Sequence, residues 1–373
     1  MSVLVRLMLT ALPVAIVWTL AWFGVFTFVN AYVARGLGAS TREWTVLTLW
    51  FVGGVMVWQL VMTEISSRLG RRRAVFAVMV LSGILFAPLP FVSNLTLLGI
   101  LLGGIACMHA TYFVVWLPMV AGLSRTAPGR GIALTQLICS VTTLVVLLGG
   151  GRLIVGGAFR VFFPLSSLLC LGSAVVFLLI SHPFEQAELP PVLPLRCLRW
   201  DDLRSLMTGL FPWILFCGLL LEPFGFHTAN QLLPNLAREV HGLGEGAIGT
   251  VVAFGRVPAL LSLLCMAHFI DRWNPTFCYG VALIVVGGGV VLMGTSTTVP
   301  LLVVAYLLYH AGQGAIWGSN SAAINSVVEP RLKDSAFAFM GVLLMGAVFG
   351  AGFVHNRLVA SGLALPGVFK VCG

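Results

Sequence analysis

Residues 63–72 read TEISSRLGRR, and the next residue is a further arginine, Arg73. Charged residues make up only 9% of the chain, so this group of arginines is a strong local signal. The sequence on both sides is apolar, because neither residues 44–63 nor residues 74–124 contain an Asp, Glu, Lys or Arg. The pattern predicts two helices in an apolar medium, joined by a basic loop.

The composition of the whole chain identifies that medium as a lipid bilayer. Apolar residues make up 59% of the 373 residues, and the mean hydropathy of +1.03 is too high for a soluble domain. A membrane β-barrel would alternate apolar and polar residues, whereas these runs are continuously apolar. We therefore predict an all-α integral membrane protein with about eleven transmembrane helices of about 20 residues or more. The predicted crossings are 7–34, 44–65, 73–92, 95–122, 131–155, 160–181, 206–236, 246–269, 276–296, 299–327 and 335–359.

Charge predicts the orientation of these helices. The basic residues concentrate in the loops that follow the even-numbered crossings, and short cytoplasmic loops collect Lys and Arg. This places the amino terminus inside and, in a bacterium, the protein in the cytoplasmic (inner) membrane. Orientation accounts for the net charge of +9, and no basic patch interleaved with aromatic residues indicates a nucleic-acid partner.

A polar interval divides the chain into two related parts. Residues 182–205 contain four prolines and seven charged residues between the sixth and seventh crossings. The tripeptide GLG at 36–38 returns at 242–244, and Arg68 returns as Arg272 at nearly the same offset. Landmarks repeated in order predict a duplicated six-helix unit. The predicted domains are an N-terminal bundle at 1–181, a cytoplasmic linker at 182–205 and a C-terminal bundle at 206–373, whose last helix is incomplete.

Two six-helix units with a basic loop resemble the major facilitator superfamily (MFS) of transporters. That family carries a loop of the form Gly-x-x-x-Asp-Arg-x-Gly-Arg-Arg/Lys between its second and third helices. Residues 63–72 depart from it at Thr63 and Ser67. Residues 267–274 form a second, partial copy in register with the duplication. The residues that match the motif in the two copies are Arg68, Gly70, Arg71 and Arg72, and Asp271 and Arg272.

The resemblance covers residues 1 to about 360 and implies a function for this loop. Glycine permits a tight turn, and arginines can meet carboxylates or the carboxyl ends of helices. The loop would then hold helices together at the inner gate of a transporter. Because Ser67 replaces the acidic residue of the motif, Glu64 is the nearest alternative partner. A topology signal alone is the other interpretation of these arginines.

The resemblance also implies that the first, fourth, seventh and tenth helices line a central cavity. Those segments carry polar residues at helical spacing, and polar groups in lipid usually face a partner or water. For each residue alone, hydrogen bonding between helices is as good an interpretation as contact with a solute. The candidate substrate and coupling residues are Asn30, His109, Tyr112, Glu222, His227, Asn230, Arg256, His310, Gln313 and Asn320.

Glu222 and Arg256 are the charges deepest in the predicted membrane. They lie about 16 and about 10 residues from the starts of their helices, and a rise of about 1.5 Å per residue puts both near the midplane. Each would cost about 2.5–3.5 kcal/mol if left alone there. One interpretation is a structural ion pair. In the other, Glu222 exchanges a proton while Arg256 or the substrate competes for its carboxylate.

These observations lead us to expect a secondary active transporter that moves a small solute, a metabolite or organic anion, by alternating access. We expect protons as the coupling ion, a monomer as the working form and the lipid bilayer as its surroundings. The sequence contains no nucleotide-binding loop, metal-ligand cluster or nucleophile constellation, so we expect neither an enzyme nor a metal or cofactor.

Two alternatives remain open. The first is a drug or metabolite exporter of the same fold, although the fourth and fifth segments lack the arginine and the proline of the motifs that mark drug–proton antiporters. The second is a non-transporting binding or assembly protein on a transporter scaffold. The stretch after Arg357 favours this second alternative because it is too short for a twelfth crossing.

A reporter fused after Gly373 tests the predicted orientation. Eleven crossings from an inside amino terminus end outside, so we expect alkaline phosphatase at that position to be active and a cytoplasmic reporter to be silent. A matched fusion at the 182–205 linker should give the opposite result. Cytoplasmic activity at Gly373 would mean that the number of crossings is wrong.

Overall fold

A computed structural model describes residues 3–117, 119–120, 128–154, 157–181, 200–269, 272–328 and 333–373. Almost all of these residues are helical, and no strand occurs among them. The prediction of an all-α membrane protein is therefore confirmed. Residues 182–199, which form most of the predicted linker, lie outside the described residues.

The first part of the chain is built from helices that run nearly without interruption between short turns. The α-helices are α1 (Val3–Thr19), α2 (Thr41–Leu69), α3 (Arg71–Phe86), α4 (Leu95–Ile105), α5 (Cys107–Thr111), α6 (Pro128–Ile154) and α7 (Phe159–Ile180). Wider π-helical turns continue two of them, Leu20–Val29 and Tyr32–Gly36 after α1 and Tyr112–Trp116 after α5. A short 3-10 helix, Leu89–Phe91, follows α3.

The second part follows the same plan. Its α-helices are α8 (Trp200–Leu206), α9 (Phe211–His227), α10 (Leu233–Glu239), α11 (Glu245–Phe254), α12 (Arg256–Phe269), α13 (Pro275–Thr295), α14 (Val299–Val327), α15 (Lys333–Ala360) and α16 (Leu365–Cys372). A π-helical turn, Thr228–Leu232, joins α9 to α10. The end of the predicted linker is therefore helical, in α8.

All eleven predicted crossings coincide with helix in the described residues. Nine helical stretches there are long and apolar enough to cross a membrane, and they match the first six predicted crossings and the eighth to tenth. The seventh crossing is the composite stretch from α9 to α10, and the eleventh is α15. The eight residues of α16 rise only about 12 Å at 1.5 Å per residue, too little to cross.

Side-chain caps fix where several of these helices begin. Ser40 and Glu43 form a capping box at the start of α2, in which the Glu43 carboxylate accepts from the Ser40 backbone N–H at 2.7 Å. Asn94 caps α4, and Asn274 caps α13 through a 2.9 Å bond from the backbone N–H of Thr276. The caps satisfy backbone donors that a helix start leaves without partners.

A proline explains why the eighth crossing is not one continuous helix. Pro258 has no N–H to donate to the carbonyl of Phe254, four residues earlier, and its ring crowds that carbonyl. The helix breaks at Gly255, between α11 and α12. A Cβ on Gly255 would lie 2.7 Å from the Tyr306 ring, so only glycine fits at the break. The predicted segment 246–269 is thus helical but interrupted.

Contacts divide the chain into two compact units. The first extends to Pro194 and includes Gly244–Ala253, whereas the second comprises Leu195–Leu243 and Phe254–Gly373. The division within the eighth crossing falls close to the break at Gly255. The predicted domain boundaries, at 181 and 206, stay a prediction.

Each unit contains a helix contact that only small residues permit. In the first unit, a Cβ on Gly54 of α2 would overlap the backbone of Gly103 in α4, and Trp58 donates to the Gly103 carbonyl at 3.1 Å. In the second unit, a Cβ on Gly314 of α14 would overlap the carbonyl of Ala259 in α12. In lipid, no hydrophobic effect drives helices together, and the van der Waals contacts of such close approaches stabilise the helix pairs instead.

The first unit also holds an ion pair that sequence reasoning did not identify. The Arg35 Nε lies 3.3 Å from the Glu245 carboxylate, and the Glu245 side chain is only 1% exposed, against 44% for Arg35. This pair joins the end of the first crossing to the start of α11. A buried carboxylate needs such a partner because an uncompensated charge is costly to remove from water.

The basic loop near residues 63–73 is a tight connection between α2 and α3. Its turn is made by Gly70, whose φ of 82° lies in the left-handed region that favours glycine. Arg68 pairs with Glu64 one turn earlier, with Nη2 2.6 Å from the carboxylate; the Arg68 side chain is largely in solvent and that of Glu64 partly so. Glu64 is therefore the partner of Arg68 in this loop, and whether it replaces the acidic residue of the family motif stays a prediction.

Arg72 in this loop connects two helices that are distant in sequence. Its Nε donates to the Ser181 hydroxyl at 2.8 Å, and its Nη2 donates to the Leu178 carbonyl at 2.6 Å. These bonds satisfy acceptors at the carboxyl end of α7 and place a positive charge where the helix dipole is negative. Arg71 is half-buried, Arg272 is exposed, and Asp271 lies outside the described residues.

Replacing Arg72 tests how this loop holds the first unit together. We expect Arg72→Gln to lower the free energy of unfolding by about 1–2 kcal/mol, because two charge-assisted bonds to another helix are lost. The matched change Arg68→Gln should cost only about 0.5 kcal/mol, since its pair is exposed and lies within one helix. Denaturation of the purified protein in SDS measures both. Equal losses would contradict this assignment.

Candidate functional site

The candidate residues of the first unit form a stack of aromatic rings. Trp22 stacks on His109 with ring centroids 3.7 Å apart, and Trp18 stacks on Tyr112 at 4.7 Å. The Trp18 indole Nε1 donates to His109 Nδ1 at 3.3 Å, which links the two pairs. The Tyr112 hydroxyl lies 3.2 Å from the Cys139 sulfur in α6. The first and fourth crossings are therefore joined by rings rather than by charges.

The hydrogen bonds in this stack define the state of His109. Because Nδ1 accepts from Trp18, the neutral imidazole carries its proton on Nε2. The His109 side chain is 5% exposed, and its ring also lies against Phe113 at 4.9 Å. Asn30 is buried in the same crossing, eight residues after Trp22, between the two π-helical segments. The rings of the stack are buried and pack on each other, so contacts within the protein account for their burial.

The described π-helical segments occur in three of the four crossings that the family resemblance assigns to a cavity. They lie in the first, the fourth and the seventh crossing, whereas the tenth is α-helical throughout. In the seventh, Pro234 offers no N–H to the carbonyl of Asn230, so the regular α-helical bond cannot form there. Such π-helical turns are frequent at functional sites.

Glu222 and Arg256 do not form an ion pair with each other. The Glu222 carboxylate, which is half-buried in α9, accepts from the Tyr279 hydroxyl at 3.5 Å. Arg256 is only 2% exposed, and its guanidinium lies over the ring of Trp317, 6.0 Å from the centroid. Tyr309 lies within electrostatic range of both charges. The prediction of a direct pair is wrong because Tyr279 holds Glu222 and Trp317 covers Arg256.

The polar stripe of the tenth crossing lies on α14. His310 is fully buried and Gln313 is 3% exposed, while Asn320 is half-buried. The His310 ring contacts two tyrosine rings edge-on, that of Tyr306 at 4.4 Å and that of Tyr309 at 4.9 Å. It also lies within electrostatic range of Arg256. Charge, imidazole, amide and phenol groups therefore meet between α12 and α14.

The seventh crossing adds further polar side chains to the second unit. Asn230 donates to the Tyr309 hydroxyl at 2.9 Å, which ties the π-helical turn to α14. His227 is buried and bonded through Nδ1 to Gln231, one turn later on the same helix. The Thr228 hydroxyl lies 2.7 Å from His355 Nε2 in α15. The bonds of Asn230 and Thr228 therefore join helices, whereas the bond of His227 lies within its own crossing, and contact of Asn230 or His227 with a solute stays a prediction.

Sequence reasoning missed several residues of this cluster. Tyr306 lies one turn before His310 and continues the helical spacing of His310, Gln313, Trp317 and Asn320. The sequence pattern alone could therefore have identified it. Tyr279 gives no such signal because its helix is otherwise apolar, and His355 gives none because it precedes Asn356 and Arg357 at the polar end of its crossing. Within the described residues, no group of three or more His, Cys, Asp or Glu side chains could hold a metal ion.

Comparison with known proteins identifies the family. The family model described as Major Facilitator Superfamily matches residues 9–352, which is most of the chain. A relative from Bacillus subtilis (strain 168), the uncharacterized MFS-type transporter YqjV, is 20% identical over 139 residues. That match covers 37% of this chain and 34% of the relative, so the chain spans about a third of that protein's length.

Solved structures show the same fold. The nucleoside transporter NupG superposes with a TM-score of 0.78 at 10% identity, covering 100% of this chain and 96% of NupG. A bacterial homolog of the human lysosomal transporter Spinster, in an inward-facing conformation, gives 0.70 at 15% identity, with 100% and 87% covered. The human organic anion transporter MFSD10 gives 0.66 at 17% identity, with 99% and 96% covered. The chain belongs to the Major Facilitator Superfamily and is a multi-pass membrane protein with the fold of its transporters.

Proposed function

We propose that this protein is a secondary active transporter that moves a small solute across the cytoplasmic membrane by alternating access, with protons as the coupling ion. The observation that carries the proposal is the burial of Arg256, 2% exposed, beside polar side chains of a membrane-crossing helix. A charge in such a place costs about 2.5–3.5 kcal/mol, and ionisable residues within membrane-spanning segments commonly mark the path of a substrate or an ion.

The coupling step is assigned to Glu222. When the carboxyl is ionised, the Tyr279 hydroxyl stabilises it by donating a hydrogen bond. When it is protonated, the carboxyl is neutral and no longer attracts a cation. Tyr309, in range of both Glu222 and Arg256, links the proton site to the buried guanidinium. A solute that binds near Arg256 therefore changes how readily Glu222 holds its proton.

The π-helical segments allow the crossings to change conformation. A π-helical turn replaces the usual i to i−4 bond by a longer i to i−5 bond, so a register shift costs few hydrogen bonds. In the seventh crossing this turn carries Asn230 and Gln231 and follows Glu222 by less than two turns. We propose that such turns let the polar residues change partners between the outward-facing and inward-facing states.

The orientation with the amino terminus inside and the monomeric state are parts of the same proposal. They rest on the basic loops and on the family fold. An exporter of drugs or metabolites with this fold differs only in the direction of net flux, which vesicles of defined orientation distinguish. A non-transporting binding or assembly protein is the second candidate function, because a transporter fold does not by itself fix the function.

Replacement of Glu222 tests the coupling role. In vesicles with an imposed pH gradient, Glu222→Gln should abolish gradient-driven accumulation of a labelled solute but preserve solute exchange at equal pH. The reason is that the amide resembles the protonated acid and cannot release a proton. The matched control Glu239→Gln changes an exposed acid of the same unit and should leave both activities unchanged.

Three outcomes of this experiment are decisive. Normal accumulation in Glu222→Gln would exclude Glu222 as the proton carrier. Equal losses of exchange and accumulation, together with lower thermal stability in both Glu222→Gln and Tyr279→Phe, would show that the acid has a structural role only. Tight solute binding by the wild-type protein without flux in either direction would favour the non-transporting alternative.

A further inference from the structure

The first unit has an apolar groove on its surface, between α1 and α7. Its volume is about 400 Å³, and it is lined by Leu12, Pro13 and Ile16 of α1 and by one face of α7 between Leu165 and Val176. Apart from Ser173, the residues that line it are apolar. A lining of this kind fits a hydrocarbon chain rather than a polar solute, because it offers apolar contact and almost no hydrogen bonds.

The surface around the groove is that of a helix pair in contact with lipid. The exposed residues of α7 from Val161 to Leu179 are all Val or Leu, with one Gly. Leu168 is 66% exposed and Leu12 is 47% exposed. An exposed apolar surface of this kind on a membrane protein faces the acyl chains of the bilayer. Since an empty groove would deprive its walls of van der Waals contacts, we expect acyl chains to fill it.

The length of the groove matches one leaflet of the bilayer. From Leu165 to Val176 the helix rises about 16 Å at about 1.5 Å per residue, and half of the hydrocarbon core is about 15 Å thick. Gly172 keeps the middle of the groove open, because a Cβ there would meet no atom within 4 Å. The groove ends one turn before the carboxyl end of α7. An acyl chain that lies in it can therefore have its headgroup at that end.

Positive charge is concentrated at the same end of α7. Arg72 donates two hydrogen bonds to the carboxyl end of α7, which brings the start of α3 close to the end of the groove. The next residue, Arg73, is exposed. Between positions 44 and 184 the sequence contains a single acidic residue, Glu64, which is paired within the loop. This end of the unit therefore complements a negative headgroup, since basic residues beside a membrane crossing attract anionic lipids.

We infer that the groove between α1 and α7 binds an acyl chain of one anionic phospholipid, whose phosphate lies beside Arg72 and Arg73. The groove provides apolar contact along the chain, and the two arginines select the charge of the headgroup. Arg72 keeps its bonds to α7 and contributes through its charge, whereas the exposed Arg73 contacts the phosphate. The site requires no solute, so the inference is independent of the proposed transport function.

Native mass spectrometry of the purified full chain tests this site. The probes are phosphatidylglycerol, which is anionic, and phosphatidylcholine, which has no net charge, both with the same acyl chains. We expect the wild-type protein to retain one phosphatidylglycerol with about fivefold or higher preference over phosphatidylcholine. The reason is that each arginine near a membrane surface favours an anionic lipid by roughly that factor.

Gly172→Phe tests the groove. The position is open, so the new ring occupies the space of the acyl chain without displacing a neighbour. We expect it to weaken the retention of both lipids by about fivefold or more, because the apolar contacts of the chain are lost. The matched control Val175→Phe adds a ring to the same helix at an exposed position outside the groove, and it should leave retention unchanged.

Arg73→Gln tests the contact with the headgroup. We expect it to weaken phosphatidylglycerol binding by about fivefold and to leave phosphatidylcholine binding unchanged, so that the preference between the two lipids is largely lost. The matched control Arg160→Gln removes an exposed arginine at the opposite end of α7 and should preserve the preference. Thermal unfolding of each variant shows that it is folded, and Arg73→Gln remains a test if Gly172→Phe is not.

Several results would overturn the inference. They are equal retention of the two lipids by the wild-type protein, no retention of either lipid, and unchanged phosphatidylglycerol affinity in a folded Gly172→Phe or Arg73→Gln variant. A dimer without bound lipid that dissociates in Gly172→Phe would assign the groove to a second copy of the chain instead. None of these measurements involves flux, so their outcome is separate from that of the transport experiments.

Discussion

The structure depends on one constraint, which is that no polar group in the hydrocarbon core can rely on water. Each backbone N–H and carbonyl must find its partner within its own segment, so the chain crosses as helix and turns only in short polar loops. Side chains obey the same rule. It explains why Arg72 donates to the end of α7 and why Glu245 is held by Arg35. Both arginines lie near helix ends, where charge costs least.

This constraint also explains how much of the fold the sequence predicts. An apolar run of about 20 residues has one stable form in lipid, so composition alone placed the nine helical stretches of the described residues that are long and apolar enough to cross a membrane. The sequence did not predict where the type of helix changes inside a crossing. The break before Pro258 and the π-helical turn before Pro234 arise because a proline removes a backbone donor, yet apolarity continues unchanged on both sides.

The candidate site was less predictable, for a different physical reason. Periodicity places residues on a face of their own helix, and it correctly puts His310 and Gln313 together on α14. Periodicity does not predict which helix packs against that face or how closely the two helices approach. The approach of α12 to α14 is set by Gly314 against Ala259, and the partner of Glu222 is a tyrosine of α13. Depth alone therefore suggested a pair between Glu222 and Arg256 that packing does not make.

The two units use buried histidine in opposite ways. In the first unit, His109 accepts from Trp18 and stacks on Trp22, so its burial is compensated by contacts within the protein. In the second unit, His310 is as deeply buried, but two tyrosine rings lie edge-on to it, and the Gln313 amide and the Arg256 guanidinium lie close by. The first arrangement is what stability alone requires. The second brings a buried cation close to an imidazole, and such an ionisable residue inside a membrane segment is costly and commonly marks a functional site.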